Sequence, residues 1–347
     1  MKILDYKLNA VMAKSRAVYG KRMTASDYEN LINCSGISEI TSYLRSNTSY
    51  VSVLEKASST DISAGYLEFL VRKSESVVFD KLFRYESAFG QKLCNYFITK
   101  DETESILSAI RRILIGSASS VSGSIHYSVN KFSFDMYALD KCHDFESLFS
   151  VISGTPYLKI VQTCYKNGNS EFIDYECAFV NYFNNYVYEL VKNNSGENSP
   201  LMKLMTLKAD TEFIENLYRI KKYYRFSSDR IIGSTAPVRM TALTRKQLND
   251  LVSSHDEKEV LAVLDKTHYK DYSQAIRNNE YAEQSVAGIN YKKYKHLLRF
   301  SKDPNEIMFC FMFLVENEIR NLIHIIEGVK YKMEPESIKE LLIGFGD

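Results

Sequence analysis

Asp210-Thr-Glu-Phe-Ile-Glu-Asn-Leu-Tyr-Arg-Ile-Lys-Lys222 is acidic at its start, apolar along one stripe and basic at its end. Phe213, Leu217 and Ile220 fall at i, i+4 and i+7, which is one face of an α-helix. Two other stretches repeat the pattern. Asp101-Glu-Thr-Glu-Ser-Ile-Leu-Ser-Ala-Ile-Arg-Arg-Ile-Leu114 ends in the same adjacent bases, and Glu316-Asn-Glu-Ile-Arg-Asn-Leu-Ile-His-Ile-Ile-Glu327 carries Ile319, Leu322, Ile323 and Ile326 on one face. Acids at the start and bases at the end suit the helix dipole, so each stretch is expected to begin a helix at its acids. Recurrence at intervals of roughly a hundred residues points to an internally repeated all-α protein.

The rest of the chain recurs in the same order. Met23-Thr-Ala25 returns as Met240-Thr-Ala242, each leading into a short amphipathic helix. Thr24 is an expected N-cap, with Asp27 completing an imperfect capping box, and Thr244 with Gln247 makes a capping box. Ser38 is expected to cap a second short helix, and Asp144 and Asp256 stand before the corresponding ones. Thr48-Ser-Tyr50, Thr155-Pro-Tyr157 and Thr267-His-Tyr269 close these short-helix pairs, 107 and 112 residues apart. Long aromatic-rich helical tracts follow at 61–98, 171–192 and 273–300. The chain loosens at Gly116–Ser124 and Asn193–Pro200. Three helical lobes of about 105–110 residues follow from this recurrence, 1–125, 126–235 and 236–347, with rough three-fold pseudosymmetry and with the C-terminal helix closing onto the first lobe.

Composition narrows the function. The chain has 347 residues, 45% of them hydrophobic and 25% charged, with 5 Pro and 14 Gly, which favours a globular helical protein. A net charge of +1 gives no global field to select nucleic acid or an anionic membrane. The six cysteines form no CxxC pair and read as buried free thiols of a reducing compartment. The longest apolar run, Ile307–Val315, spans about 14 Å as a helix, against about 30 Å of bilayer core. There is no P-loop, HExxH, GxSxG or GxGxxG, and neither a cofactor nor a metal site is expected. Cys142-His143 has no second ligand at metal spacing, and the paired acids are assigned to helix starts rather than to acid–base catalysis. Two basic and aromatic stretches, Arg219–Phe226 and Tyr291–Arg299, suit a solvated helix face, an acidic protein partner or a phosphate backbone.

Taken together, Ala10–Arg16, Arg22–Leu31, Thr48–Tyr50, Asp210–Lys222, Val238–Ala242 and Glu316–Gly328 resemble, in order and over nearly the whole chain, the C-type subunit family of the V/A-type rotary ATPases, whose eukaryotic counterpart is the d-type subunit. One departure is Ser105, where the other two copies carry Asn216 and Asn321. The resemblance implies a three-lobed, funnel-shaped, all-helical body that hydrolyses nothing. It implies a cytoplasmic, membrane-peripheral coupler between the D- and F-type shaft subunits of the ATPase head and the membrane c-ring, with no nucleic acid and no small-molecule substrate. Arg111, Arg112, Arg219, Lys221, Lys222 and Arg225, at the basic ends of the recurrent helices, are the expected shaft contacts. An unrelated helical adaptor, or a nucleic-acid-binding helical protein using the two basic stretches, is the alternative.

Overall fold

The structure is a computed structural model and describes residues 2–55, 62–87, 92–116, 132–166, 171–224, 239–279 and 281–345. Among these residues it is all helix, without a strand. It divides into two compact units. One joins the start of the chain, to Gln91, with its end, from Ala287; the other takes the middle of the chain, to Val286. The expected lobe boundaries at 125 and 235, and most of the Gly116–Ser124 loop, lie outside the described residues.

The first unit begins with helix α1 (Lys2–Tyr19), then α2 (Ala25–Ile32), α3 (Ile37–Asn47), the single turn α4 (Val51–Leu54) and α5 (Ala64–Ser87). The capping box is complete on α2: Thr24 Oγ1 accepts from the Asp27 amide and the Asp27 carboxylate accepts from the Thr24 amide. Helix α3 corrects the expected cap. It starts at Ile37 behind Gly36, and Ser38 lies inside it. The preceding turn is tied instead by the Glu39 carboxylate, which accepts from the Ser35 amide and hydroxyl.

The middle unit follows with α6 (Asn95–Ile115), α7 (Met136–Asp140), α8 (Phe145–Val151), α9 (Pro156–Lys166), α10 (Phe172–Ser195) and α11 (Pro200–Arg219). A π-helical turn, Ile220–Tyr224, continues α11. Then come α12 (Arg245–Ser253), α13 (Glu257–Leu264) and α14 (Lys270–Arg277). Helix α15 (Ala282–Phe300) leads back to the first unit, which ends with α16 (Pro304–Lys330) and α17 (Pro335–Glu340). The Asn193–Pro200 loop shrinks to four residues, because α10 runs through Ser195 before Gly196 ends it in a positive-φ turn.

Two expectations about the long helices change. The tract 273–300 is broken, since α14 stops at Arg277 and α15 starts at Ala282. The acids of the recurrent stretches also do not begin helices. Asp101 and Glu102 lie inside α6, Asp210 halfway along α11, and Glu316 and Glu318 on either side of the middle of α16. The dipole therefore does not explain them, because its effect is confined to the first and last turns.

Each unit has its own apolar core. In the first, Ile319, Leu322, Ile325 and Ile326 of α16 pack with Leu31, Ile40, Leu44 and Leu67, all nearly or fully buried. In the middle unit, Ile106, Ala109 and Ile110 of α6 pack with Leu139, Leu148, Tyr157, Val161 and Phe179. The same isoleucine-rich stripe that marks the helix in sequence is what buries it.

Candidate functional site

Glu102, Asp210 and Glu318 share one hydrogen-bond pattern, a backbone amide and a tyrosine hydroxyl on one carboxylate. The Tyr157 hydroxyl donates to Glu102 Oε2 at 2.5 Å and the Ser133 amide to Oε1 at 2.6 Å. The Tyr269 hydroxyl and the Ala242 amide donate to Asp210 Oδ2 at 2.6 and 2.8 Å, while Thr241 Oγ1 donates to Oδ1. The Tyr50 hydroxyl donates to Glu318 Oε1 at 2.9 Å and the Met23 amide to Oε2 at 3.0 Å. In every case the amide belongs to the residues entering a short-helix pair, and the phenol to the tyrosine that closes it. Short bonds of this kind to an ionised acceptor are about twice as strong as neutral ones.

The Thr-x-Tyr spacing has a local cause. Thr48, Thr155 and Thr267 donate their hydroxyls to the carbonyls of Leu44, Ile152 and Leu264, which ends the preceding helix. The tyrosine two residues later then turns inward, and Tyr50, Tyr157 and Tyr269 are all buried.

The three carboxylates differ in access. Glu102 is 5% exposed and Asp210 fully enclosed. Glu318 is partly exposed and lines a cavity of about 210 Å³ with Tyr19, Arg22, Tyr28, Tyr291 and Asn321. Burial raises the Glu318 and Asp210 carboxyls above their ordinary values, and the donated hydrogen bonds oppose that rise. The cavity floor is pinned by Asn321, whose side chain accepts from the Ile343 amide and donates to the Ile343 carbonyl, both at 2.8 Å.

The six expected contact residues fall into different environments. Arg111 is exposed, its guanidinium 4.4 Å from the centre of the Phe172 ring. Arg112 is buried; it donates to the Leu139 and Asp140 carbonyls at 3.1 and 3.4 Å and closes the end of α7. Arg219 is half-buried and pairs with Glu176 at 3.1 Å. Phe172 and Glu176 are one turn apart on α10, so Arg111 and Arg219 each rest on the start of that helix. Lys221 is 4% exposed, and burial lowers its pKa. Lys222 is exposed, over the Tyr218 and Tyr223 rings. Arg225 lies outside the described residues. Sequence reading missed the three carboxylates as inward anchors. The signal was present in the matching recurrence of one acid and one Thr-x-Tyr tyrosine.

No group of His, Cys, Asp and Glu able to hold a metal occurs among the described residues. His143 is exposed and pairs with Asp144, and Cys142 is buried. None of the six cysteines forms a disulfide. No helix among the described residues is long and apolar enough to cross a membrane. A family model described as ATP synthase (C/AC39) subunit matches residues 11–341. No curated protein matches the chain.

Proposed function

Because the chain belongs to the C/AC39 subunit family of the V/A-type ATPases, we propose that it is the non-catalytic central-stalk subunit joining the rotor shaft of the ATPase head to the membrane ring. In this reading it passes torque between them during proton or sodium transport and itself hydrolyses nothing. The observation that carries the reading is the family match, which runs over residues 11–341 and so takes in both compact units. Its partners are the D- and F-type shaft subunits on one side and the ring subunits on the other, with the chain peripheral to the membrane on the cytoplasmic side.

Among the basic residues, Arg111 and Lys222 are proposed to meet the shaft directly, because both present charge to solvent. Arg219 contributes from beside Glu176, and Arg225 belongs to the same proposed set. Arg112 supports the contact from within, by holding the end of α7, and Lys221 belongs to the same proposed set. Charges at an interface rim govern association rate and salt dependence more than affinity.

The test is binding of the purified chain to purified shaft subunits and, separately, to the detergent-solubilised ring. The reading expects both to bind, with the shaft complex weakening as salt rises. Binding to neither overturns it and leaves a helical adaptor of another kind.

A further inference from the structure

Burying a carboxylate is costly, and an apolar side chain of similar volume in its place is often as stable or more so. Two buried carboxylates and a third at a cavity wall, each bonded by a backbone amide and a tyrosine hydroxyl, therefore call for a reason other than stability. Apolar contact is non-directional, so a short helix held only by its apolar face slides along its neighbour at little cost. Helices as short as α7, with five residues, and α2, with eight, have little stability of their own. A carboxylate that accepts a backbone amide at the entrance of the pair and a phenol at its exit fixes both ends to one point on the long helix. Asp210, one methylene shorter than the two glutamates, takes the extra donor Thr241 and keeps the same function with less reach. Around Glu102 the grip has a second point, since Arg112, ten residues along the same helix, holds the far end of α7.

We infer that Glu102, Asp210 and Glu318 are positioning residues for coupling: each locks a short-helix pair to a long helix as one lever, so that force applied to either reaches the other without slip. This rests on the coupling role proposed above. Glu318 has the widest span, because it ties α2 and α3, near the start of the chain, to α16, near its end. The inference depends on the pattern of donors and not on any catalytic or ligand-binding chemistry.

The experiment has two parts on the same variants: Glu102→Ala, Asp210→Ala, Glu318→Ala, and the conservative Glu102→Gln, Asp210→Asn, Glu318→Gln. The first part is amide hydrogen exchange on the full chain. Each alanine variant is expected to speed exchange at least tenfold around its own amide, at Ser133, Ala242 or Met23, and to leave the other two sites unchanged. The amide variants restore most of the protection. In Glu102→Gln and Glu318→Gln the oxygen still accepts from the backbone and the NH2 donates to the tyrosine oxygen. In Asp210→Asn the oxygen still accepts from Ala242 and Tyr269 while the NH2 donates to Thr241 Oγ1. Should an alanine variant fail to fold, Tyr157→Phe, Tyr269→Phe and Tyr50→Phe remove the donating hydroxyl alone and are expected to give about a fivefold local effect. Uniform acceleration at all three sites, or none at its own site, overturns the inference.

The second part measures ions moved per ATP hydrolysed in the reconstituted complex. Alanine variants are expected to assemble and support hydrolysis with at least a twofold lower ratio, rescued by the amide variants. Localised exchange with an unchanged ratio overturns the positioning role. A complex lacking the chain altogether that still transports normally overturns the coupling reading itself, whatever the exchange data give.

Discussion

Glu102 and Asp210 are sealed within the middle unit, whereas Glu318 in the other unit faces a cavity of about 210 Å³ beside Arg22. The sealed pair also closes short stretches of chain. Asp210 bonds to residues 32 and 59 positions away, while Glu318 reaches across 295 and 268. By loop-closure entropy, the longer closure costs about 1–2 kcal/mol more. The first unit offsets this with α1 and α5 packed along α16 and a continuous apolar core. The same hydrogen-bond pattern thus serves in two different surroundings. In the sealed positions the protein must satisfy every donor itself. At the cavity, water can replace a lost partner.

The largest expected effect breaks the sealed anchor. Asp210→Ala strands the Thr241 hydroxyl, the Ala242 amide and the Tyr269 hydroxyl without an acceptor, and is expected to cost about 3–4 kcal/mol. Glu318→Ala should cost about 1–2 kcal/mol, because water entering the cavity can take up the freed donors. Denaturant midpoints of the two variants measure the difference. Equal losses would mean that cavity access does not matter.

Gly344→Ala probes the cavity wall. Gly344 has φ +69°, and a Cβ there would run into the Tyr291 ring. A loss of about 1–2 kcal/mol is expected, confined to the turn after α17 and visible as faster exchange at Ile343.

Stability against pH sharpens the comparison further. The Glu318 and Asp210 carboxyls are raised in the fold, so the folded chain holds protons that the unfolded chain has released. Their contribution is fully present below the ordinary carboxylate range, about 4, and is lost as pH rises through the raised values. Midpoints followed upward from about pH 4 should fall, with a slope that Glu318→Gln and Asp210→Asn each flatten. The Asp265 carboxyl, held down to about 2 chiefly by Arg277, acts in the opposite sense and only at the acid extreme. An unchanged slope in both variants would remove these carboxylates as its source.

Smallest is Lys222→Glu, on the exposed π-helical turn. It should leave the denaturant midpoint within error and weaken binding to the shaft subunits, most strongly at low salt. Unchanged binding across a salt titration would remove Lys222 from the contact.

Much of the fold was legible because the helix stripes and caps are local. Ile319, Leu322 and Ile326 announce a buried face by spacing alone, and Thr24, Thr244, Asp144 and Asp256 mark helix starts that the structure contains. The anchors were not legible in the same way. An acid at Asp210 looks identical in sequence whether it caps a helix start or accepts from Tyr269, 59 residues on. Helix boundaries decide between the two, and α11 begins ten residues earlier than its apolar stripe suggests, at Pro200 behind the Ser199 cap. Arg112 and Lys221 were read as surface charge for a related reason. Adjacent basic residues on a helix point in different directions, so Arg111 faces solvent while Arg112 turns in to the carbonyls of α7.

The proposed coupling of head to ring by this chain is tested by ion transport in the reconstituted ATPase with the chain left out and then added back. ATP hydrolysis is expected to continue without the chain while transport stops, and adding the purified chain is expected to restore transport. Normal transport in its absence would contradict the coupling.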